Sequence, residues 1–298
     1  MLLDNLHLFL IIAEKGSLVA AARESGLSST TVSERLAALE AHYGVVLFNR
    51  TTRSISLTEE GRTLIEGAKK ILGDVSDLDA LIRYGAETLS GPIRISAPID
   101  LGRSIISKVV AEFTDENPAV SIELSLSDGY VDIVGQGFDL AIRFGNITDT
   151  TLRIRSLGHF QRYVCASPDY LKKNGFPQKP EDLTHHNCLV MRFGTTIDNV
   201  WTFGAKRNQR IQVSGNRIVN DGSLIRSWAL AGKGIVLKSE LDVGEDVRSG
   251  RLMSLLEDQL PPPNPLQMLF PPARAQPKRV SVLAQHIAKT FADLSSKR

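Results

Sequence analysis

The sequence predicts a mainly α-helical head of the winged helix-turn-helix kind, a long linker helix, and a two-lobed α/β domain of the periplasmic-binding-protein-like type (type II). Three observations lead there. Within the first 58 residues, helical segments separated by a Gly turn precede two short strand-like runs. Over residues 64–82 an apolar row follows at heptad spacing. From Ile93 onward, short apolar strands alternate with helical segments, the pattern of a covered α/β sheet.

In the head, Leu6, Phe9, Leu10 and Ala13 make an apolar helical face, with Asp4 as the expected N-cap and Leu3 and Leu8 as its staple. Gly16-Ser17 ends that helix and caps the next. The run Val19-Ala20-Ala21-Ala22 lets two helices cross closely, and Gly26 supplies the turn. Ser28 is the natural N-cap of the following helix, whose Val32, Leu36 and Leu39 form the buried stripe. Helix geometry puts Thr30, Glu34 and Ala37 on the opposite face, flanked by Thr31 and Ser33. That face is small and polar, so it can approach a DNA major groove closely. The candidate DNA-contacting residues are therefore Ser28, Ser29, Thr30, Thr31, Ser33, Glu34 and Arg35. Leu47 to Arg50 and Ser54 to Leu57 read as the strands of a wing, which adds Arg50 and Arg53 as contacts to phosphates or a minor groove.

Thr58 is the expected cap of the linker helix, whose Glu59 and Glu60 suit the positive end of the helix dipole. Leu64, Ala68, Ile71, Val75, Leu78 and Ile82 then recur at alternating four- and three-residue steps. This seam reads as a coiled coil between two chains, the alternative being a helix packed on its own domain. Gly85 and Ser90-Gly91-Pro92 break the helix. The expected domains are thus residues 1–58, 59–90 and 91–298, the last with one lobe at about 91–162 plus 267–298 and another at about 163–266.

In the α/β part, strands are expected at Ile93–Ala97, Val120–Leu126 and Phe138–Phe144, with helices at Leu101–Asn117 and Val131–Val134. The pattern restarts with a strand at Arg162–Ala166, helices at Pro168–Lys173 and Gly222–Ala231, and a strand at Ile235–Leu237. A returning strand at Leu266–Phe270 and a helix at about 278–294 close the chain. Such alternation argues for parallel sheets. Ligands of open α/β sheets bind beyond the carboxyl ends of the strands. That position holds Ser96, Pro98, Ile99 and Asp100 after the first strand, Ser127 and Asp128 after the second, and Phe144 on the third. Phe193, Trp201, Asn220 and Asp221 are the expected facing residues from the other lobe. Arg143 suits either an effector carboxylate or a structural ion pair.

The run Ala20-Ala21, Val32-Ser33, Leu39-Glu40, Leu47-Phe48-Asn49-Arg50 and Leu57-Thr58-Glu59-Glu60-Gly61 resembles the N-terminal signature of the LysR-type transcriptional regulators. Later stretches extend the resemblance over nearly the whole chain, among them Arg94 to Pro98, Asp139 to Gly145, Ala166 to Leu171, Val219 to Gly222 and Ala231 to Ile235. The family often carries Gln and Pro where Ser29 and Thr30 stand, and commonly a basic residue at Glu34. The departures fall on the DNA face and bear on base preference, not on fold. The resemblance implies a homodimer or homotetramer on a pseudo-palindromic operator in double-stranded DNA, in communication with the transcription machinery. It also implies a small-molecule effector in the interlobe cleft, with Ser96, Pro98 and Ser127 at commonly used positions. A carboxylate at Glu34 would face repulsion from phosphates, yet can accept from a cytosine amino group; an ion pair on the helix is the alternative.

Composition narrows the function classes. No run approaches ~18 apolar residues, and Met1-Leu2-Leu3-Asp4 lacks a basic leader, so a cytoplasmic protein without a membrane partner is expected. Residues 1–58 hold five basic and five acidic side chains, so non-specific phosphate attraction is weak and dimerisation has to compensate. Residues 91–298 hold 26 basic and 21 acidic side chains, which mildly favours an anionic effector, a small metabolite. Cys165 and Cys188 lack CxxC spacing, and Cys165 lies in an apolar run, so a buried inert thiol is expected rather than an oxidant sensor. His185-His186-Asn187-Cys188 lacks the spacing of a zinc site. No GxSxG, Walker or GxGxxG motif is present, so neither catalytic residues, nor a cofactor, nor a metal is expected. An enzyme built on residues 91–298 and a secreted solute-binding protein are the rival classes, and neither accounts for the head.

Overall fold

The computed structural model describes residues 2–50, 55–84, 88–145, 147, 151–204, 209–272 and 276–296. The chain divides into two compact units, Met1–Gly91 with Val134–Gly137, and Pro92–Ile133 with Phe138–Arg298.

The first unit contains α1 (Leu2–Lys15), α2 (Leu18–Ser25), α3 (Ser29–Tyr43), β1 (Phe48–Arg50), β2 (Ile55–Leu57) and α4 (Glu59–Tyr84). Asp4 lies within the first turn of α1 rather than at its cap, because the chain is already helical from Leu2. Ser17 caps α2 by accepting from the Ala20 N–H, and Ser28 caps α3 by accepting from the Thr31 N–H. Gly26, at φ 66°, ends α2, and the Leu27 N–H returns to the Ala22 carbonyl at 3.0 Å. This left-handed turn is open to glycine without a Cβ penalty and sets the angle between α2 and α3.

One core joins all the helices of this unit. Leu6, Phe9 and Ile12 of α1 meet Ala21 and Ala22 of α2, and Val32, Leu36 and Leu39 of α3. Leu47, Phe48 and Ala68 complete it, with Phe9 and Phe48 rings 5.4 Å apart. The wing strands pair antiparallel, Phe48 opposite Leu57 and Arg50 opposite Ile55. The Leu47 N–H donates to Glu40 Oε1 at 2.9 Å, which ties the wing to α3. Thr58 Oγ1 donates to the Val46 carbonyl and accepts from the Gly61 N–H, so it caps α4 while fixing the chain before β1.

The heptad row of α4 divides into two parts. Ala68 is fully buried and Leu64 packs beside it against the head's own core, with Ile65 and Leu72. Ile71, Leu78 and Ile82 are 43, 54 and 74 % exposed. The start of the row therefore serves its own domain, and only its later part presents an unpartnered apolar face.

The second unit has two lobes. Its elements are β3 (Gly91–Ala97), α5 (Ile99–Leu101), a wide helical turn (Gly102–Ile106), α6 (Ser107–Glu116), β4 (Val120–Leu126), β5 (Leu140–Phe144) and β6 (Arg153–Phe160). Next come β7 (Arg162–Ala166), α7 (Pro168–Asn174), β8 (Val190–Phe193), β9 (Thr196–Ile197), β10 (Val200–Phe203), β11 (Gln209–Gln212), β12 (Ile218–Val219) and α8 (Gly222–Leu230). The chain ends with β13 (Val236–Ser239), α9 (Glu240–Arg248), β14 (Met253–Leu255), β15 (Asn264–Phe270) and α10 (Lys278–Ser296).

The first lobe's sheet has the order β4-β3-β5-β15-β6. The sheets are mixed, which corrects the expectation of parallel ones. β3 and β5 run parallel, but β15 returns from the second lobe and pairs antiparallel with both β5 and β6. In the second lobe β7 is antiparallel to both β13 and β14, while β12 and β8 are parallel. Val131–Val134, expected as a helix, is turn and irregular chain, since four residues ending in a Val cannot nucleate one unaided. β6 gives no strand signal in the sequence, because this edge strand exposes Arg153 to Ser156 and so carries no alternating apolar pattern. The two chain crossings between lobes are stitched together where Gln161 Nε2 donates to the Pro261 carbonyl at 2.7 Å. Among the described residues, no helix is long and apolar enough to cross a membrane.

Two glycines of α4 give a matched pair of tests. A β-carbon on Gly61 would lie 2.3 Å from the Leu47 carbonyl oxygen, whereas one on Gly67 would meet nothing within 4 Å. Gly61→Ala is expected to destabilise the head by about 1–3 kcal/mol, and Gly67→Ala to stabilise it by about 0.5–1 kcal/mol. Hydrogen exchange of the α1–α3 amides in the two variants reads both signs.

Candidate functional site

The N-terminal half of α3 presents the first candidate surface. Ser28, Ser29, Thr30 and Glu34 are exposed, and Thr31, Ser33 and Arg35 are half-buried. Several hydroxyls are already engaged in building the helix start. Ser28 Oγ lies 2.8 Å from Thr31 Oγ1, and Ser33 Oγ donates to the Ser29 carbonyl at 3.0 Å. Ser29, Thr30 and Glu34 remain as the outward groups, with the exposed Ala37, Ala38 and Ala41 continuing the face. Arg50 stands at the end of β1, and Arg53 lies outside the described residues.

The second candidate surface lies between the two lobes, where the fold gathers most of the expected residues. Ser96 is buried near the end of β3, and its hydroxyl accepts from Arg143 Nη2 at 2.7 Å. Arg143 Nη1 also donates to the Ile142 carbonyl. No carboxylate among the described residues reaches ion-pair distance of this guanidinium. Burial lowers its pKa to about 10, with Asp128 pulling the other way, so it stays cationic near neutral pH. Pro98 precedes α5, and the Ile99 N–H donates to Asp128 Oδ1 at 2.9 Å. Ser127 closes the turn after β4, its N–H on the Ala97 carbonyl and its hydroxyl accepting from the Gly129 N–H. Phe144 is half-buried at the end of β5.

From the other lobe come groups that the sequence reading did not single out. The Gly222 N–H donates to Asp128 Oδ2 at 2.9 Å. Lys238, buried in β13, pairs with Asp100 at 2.6 Å and with Asp242 at 3.0 Å. Burial opposes the charge on Lys238, but Asp242 and Asp100 outweigh it and hold the ammonium above the usual lysine range. A charged residue closing the apolar run Ile235-Val236-Leu237 was the available signal for Lys238.

The facing residues expected from the second lobe are placed differently. Trp201 is buried in that lobe's core with Val164, Val190 and Phe203, its indole N–H on the Asp198 carbonyl, so it packs inward rather than toward the cleft. Phe193 is exposed at the end of β8, in the hairpin with β9. Asp221 spends a carboxylate oxygen on the Ser223 and Leu224 N–H groups as the cap of α8, and Asn220 is exposed beside it.

Outside the cleft, His186 Nδ1 lies 3.3 Å from Tyr170 Oη, which accepts from the Asn187 N–H, and burial pushes the imidazole pKa down. Among the described residues, no group of three His, Cys, Asp or Glu side chains is placed to hold a metal. Cys165 and Cys188 are free and buried, and burial pushes both thiols up to about 12. Since the thiolate is the reactive form, neither is expected to be alkylated by iodoacetamide at pH 8 in the folded chain, and both in denaturant. Intact-mass analysis distinguishes zero adducts from one or two.

Comparison with known proteins places these features in context. A family model described as bacterial regulatory helix-turn-helix protein, lysR family, matches residues 3–62, and one described as LysR substrate binding domain matches residues 86–292. The HTH-type transcriptional regulator DmlR of Escherichia coli (strain K12) is 31% identical over 293 residues, covering 98% of this chain and 95% of the relative. Among solved structures, CrgA, a LysR-type transcriptional regulator from Neisseria meningitidis, is 29% identical with a TM-score of 0.63, covering 97% of this chain and 98% of that one. The full-length structure of AphB, a Vibrio cholerae virulence activator, is 26% identical with a TM-score of 0.64, covering 97% and 99%.

Proposed function

Because this chain belongs to the LysR family of HTH-type transcriptional regulators, we propose that its α3 reads DNA base edges through Ser29, Thr30 and Glu34 while the wing meets the backbone. The observation that carries this reading is the outward face of α3, made of small side chains with one carboxylate, on a helix whose other side is locked into the head's core. Glu34 would accept from a cytosine amino group, and the exposed alanines suit thymine methyls. We infer that the protein acts by binding rather than catalysis and works in the cytoplasm. Residues 1–58 would act as reader, 59–90 as coupler and 91–298 as sensor.

The exposed Ile71, Leu78 and Ile82 support a partner helix from a second copy. Fully burying such side chains stabilises by roughly 1.5–3 kcal/mol each. Two heads would then present recognition helices about 34–36 Å apart to a pseudo-palindrome. Ile71→Glu places like charges in that seam. The variant is expected to run as a monomer by light scattering. It should also fail to enrich the paired half-sites that the parent chain selects from a random DNA library. A parent chain that enriches no sequence would refute the regulatory reading, and a dimeric Ile71→Glu would refute the seam.

Arg143 supports the choice of an anionic effector. A partly buried guanidinium anchored by Ser96, with no carboxylate at ion-pair distance among the described residues, keeps donors for one. An effector preferring one assembly geometry would bias the DNA-bound states by roughly 1–3 kcal/mol. A thermal-shift screen of small carboxylates against the full chain is expected to find one that raises Tm. Arg143→Gln should weaken that ligand at least tenfold, and equal affinity in the two proteins would remove Arg143 from the site.

A further inference from the structure

Gly222 opens α8 where three charged groups converge. A β-carbon there would lie 2.7 Å from Asp100 Oδ2, 2.8 Å from Lys238 Nζ and 3.2 Å from Asp128 Oδ2. Asp100 and Asp128 belong to the first lobe and Lys238 to the second. One oxygen of Asp128 accepts from the Ile99 N–H of its own lobe, the other from the Gly222 N–H across the gap, each at 2.9 Å. Beside it Lys238 reaches Asp100 at 2.6 Å.

We propose that Asp128 is an internal ligand of the cleft, its carboxylate filling the anion position between the lobes, so that an anionic effector enters by replacing it. Two backbone N–H groups from opposite lobes, with the Arg143 guanidinium within the field of Asp128, are the donors that an incoming carboxylate would use. A carboxylate carried on the loop after β4 loses no translational freedom on docking and competes at high effective concentration. An effector has to bring further contacts to win, which makes the cleft selective against simple small anions. Once displaced, Asp128 no longer ties the two lobes through its own loop, and their spacing is set by the effector's length instead. Gly222 suits this arrangement, since a side chain there would push on the ends of Asp100 and Lys238. The inference rests on the cleft being the effector site and names what the effector displaces.

Hydrogen exchange by mass spectrometry on the full chain tests it, with acetate as the probe. In Asp128→Ala, peptides containing Ile99 and Gly222 are expected to exchange about tenfold faster, the factor given by about 1.4 kcal/mol of lost local stability. Peptides of α6 and α10 should stay unchanged. Acetate should restore protection to both cleft peptides saturably, and acetamide should not. Gly222→Ala should loosen the same peptides without an acetate response, because its carboxylate is displaced rather than absent. Asp128→Asn, close in size, carries the test if Asp128→Ala does not melt cooperatively, and should show a smaller loss in the same direction. Unchanged exchange at both peptides in Asp128→Asn, or restoration by acetamide as readily as by acetate, would overturn the proposal. None of these arms involves an effector, so an unsuccessful effector screen leaves them standing, and their failure leaves Arg143 and the effector site untouched.

Discussion

A lysine inside an apolar strand has to find counter-charges, and Lys238 finds them on both sides of the lobe boundary. Its own lobe supplies Asp242, in the first turn of α9, and the other lobe supplies Asp100 at the start of the segment after β3. Removing one partner of a buried ion pair typically costs several kcal/mol, because the remaining charge is left uncompensated. The requirement therefore couples two separately packed cores through a handful of side chains. The same convergence crowds the start of α8, where a β-carbon on Gly222 would lie 2.7 Å from Asp100 Oδ2 and 2.8 Å from Lys238 Nζ. In the same lobe the buried Asp246 pairs with both Arg226 and the exposed Arg251.

The head solves a different problem, that of burying enough apolar surface in fewer than sixty residues. It does so by borrowing from the linker helix. Ala68 and Leu64 complete the core that α1, α2 and α3 leave open, and Gly61 lets the helix start lie against the Leu47 carbonyl. Glu40 and Thr58 then satisfy backbone groups at the two ends of the wing. The outward face of α3 is consequently rigid in its backbone and modest in its side chains, and the Ser28 and Thr31 hydroxyls are consumed in capping. Base selectivity falls to few groups. With five acidic and five basic residues in this segment, affinity cannot come from a basic surface. A second copy would double the contacts without changing that balance.

Local rules made much of the molecule legible in the sequence by itself. The caps at Ser17, Ser28 and Thr58, the turn at Gly26, the stripe Val32, Leu36 and Leu39, and the alternation of strands and helices after Ile93 all depend on neighbours within a few residues. The positions of the residues at the ends of the first strands were legible too, because strand order places Ser96, Asp100, Asp128 and Arg143 at or just beyond the carboxyl ends of β3, β4 and β5. What only the tertiary structure decided was which long-range partner each side chain met. Trp201 and Phe193 look alike to a sequence reader, yet one is core and the other exposed. Leu64 and Leu78 stand at the same place of the heptad, two repeats apart, yet only the first finds the head's core beneath it. β15 runs antiparallel because the chain crosses between lobes twice, a fact of path that no local periodicity records. The meeting of Asp100 with Lys238, 138 residues apart, is of the same kind: burial of charge demands a partner, and only the folded chain determines which one arrives.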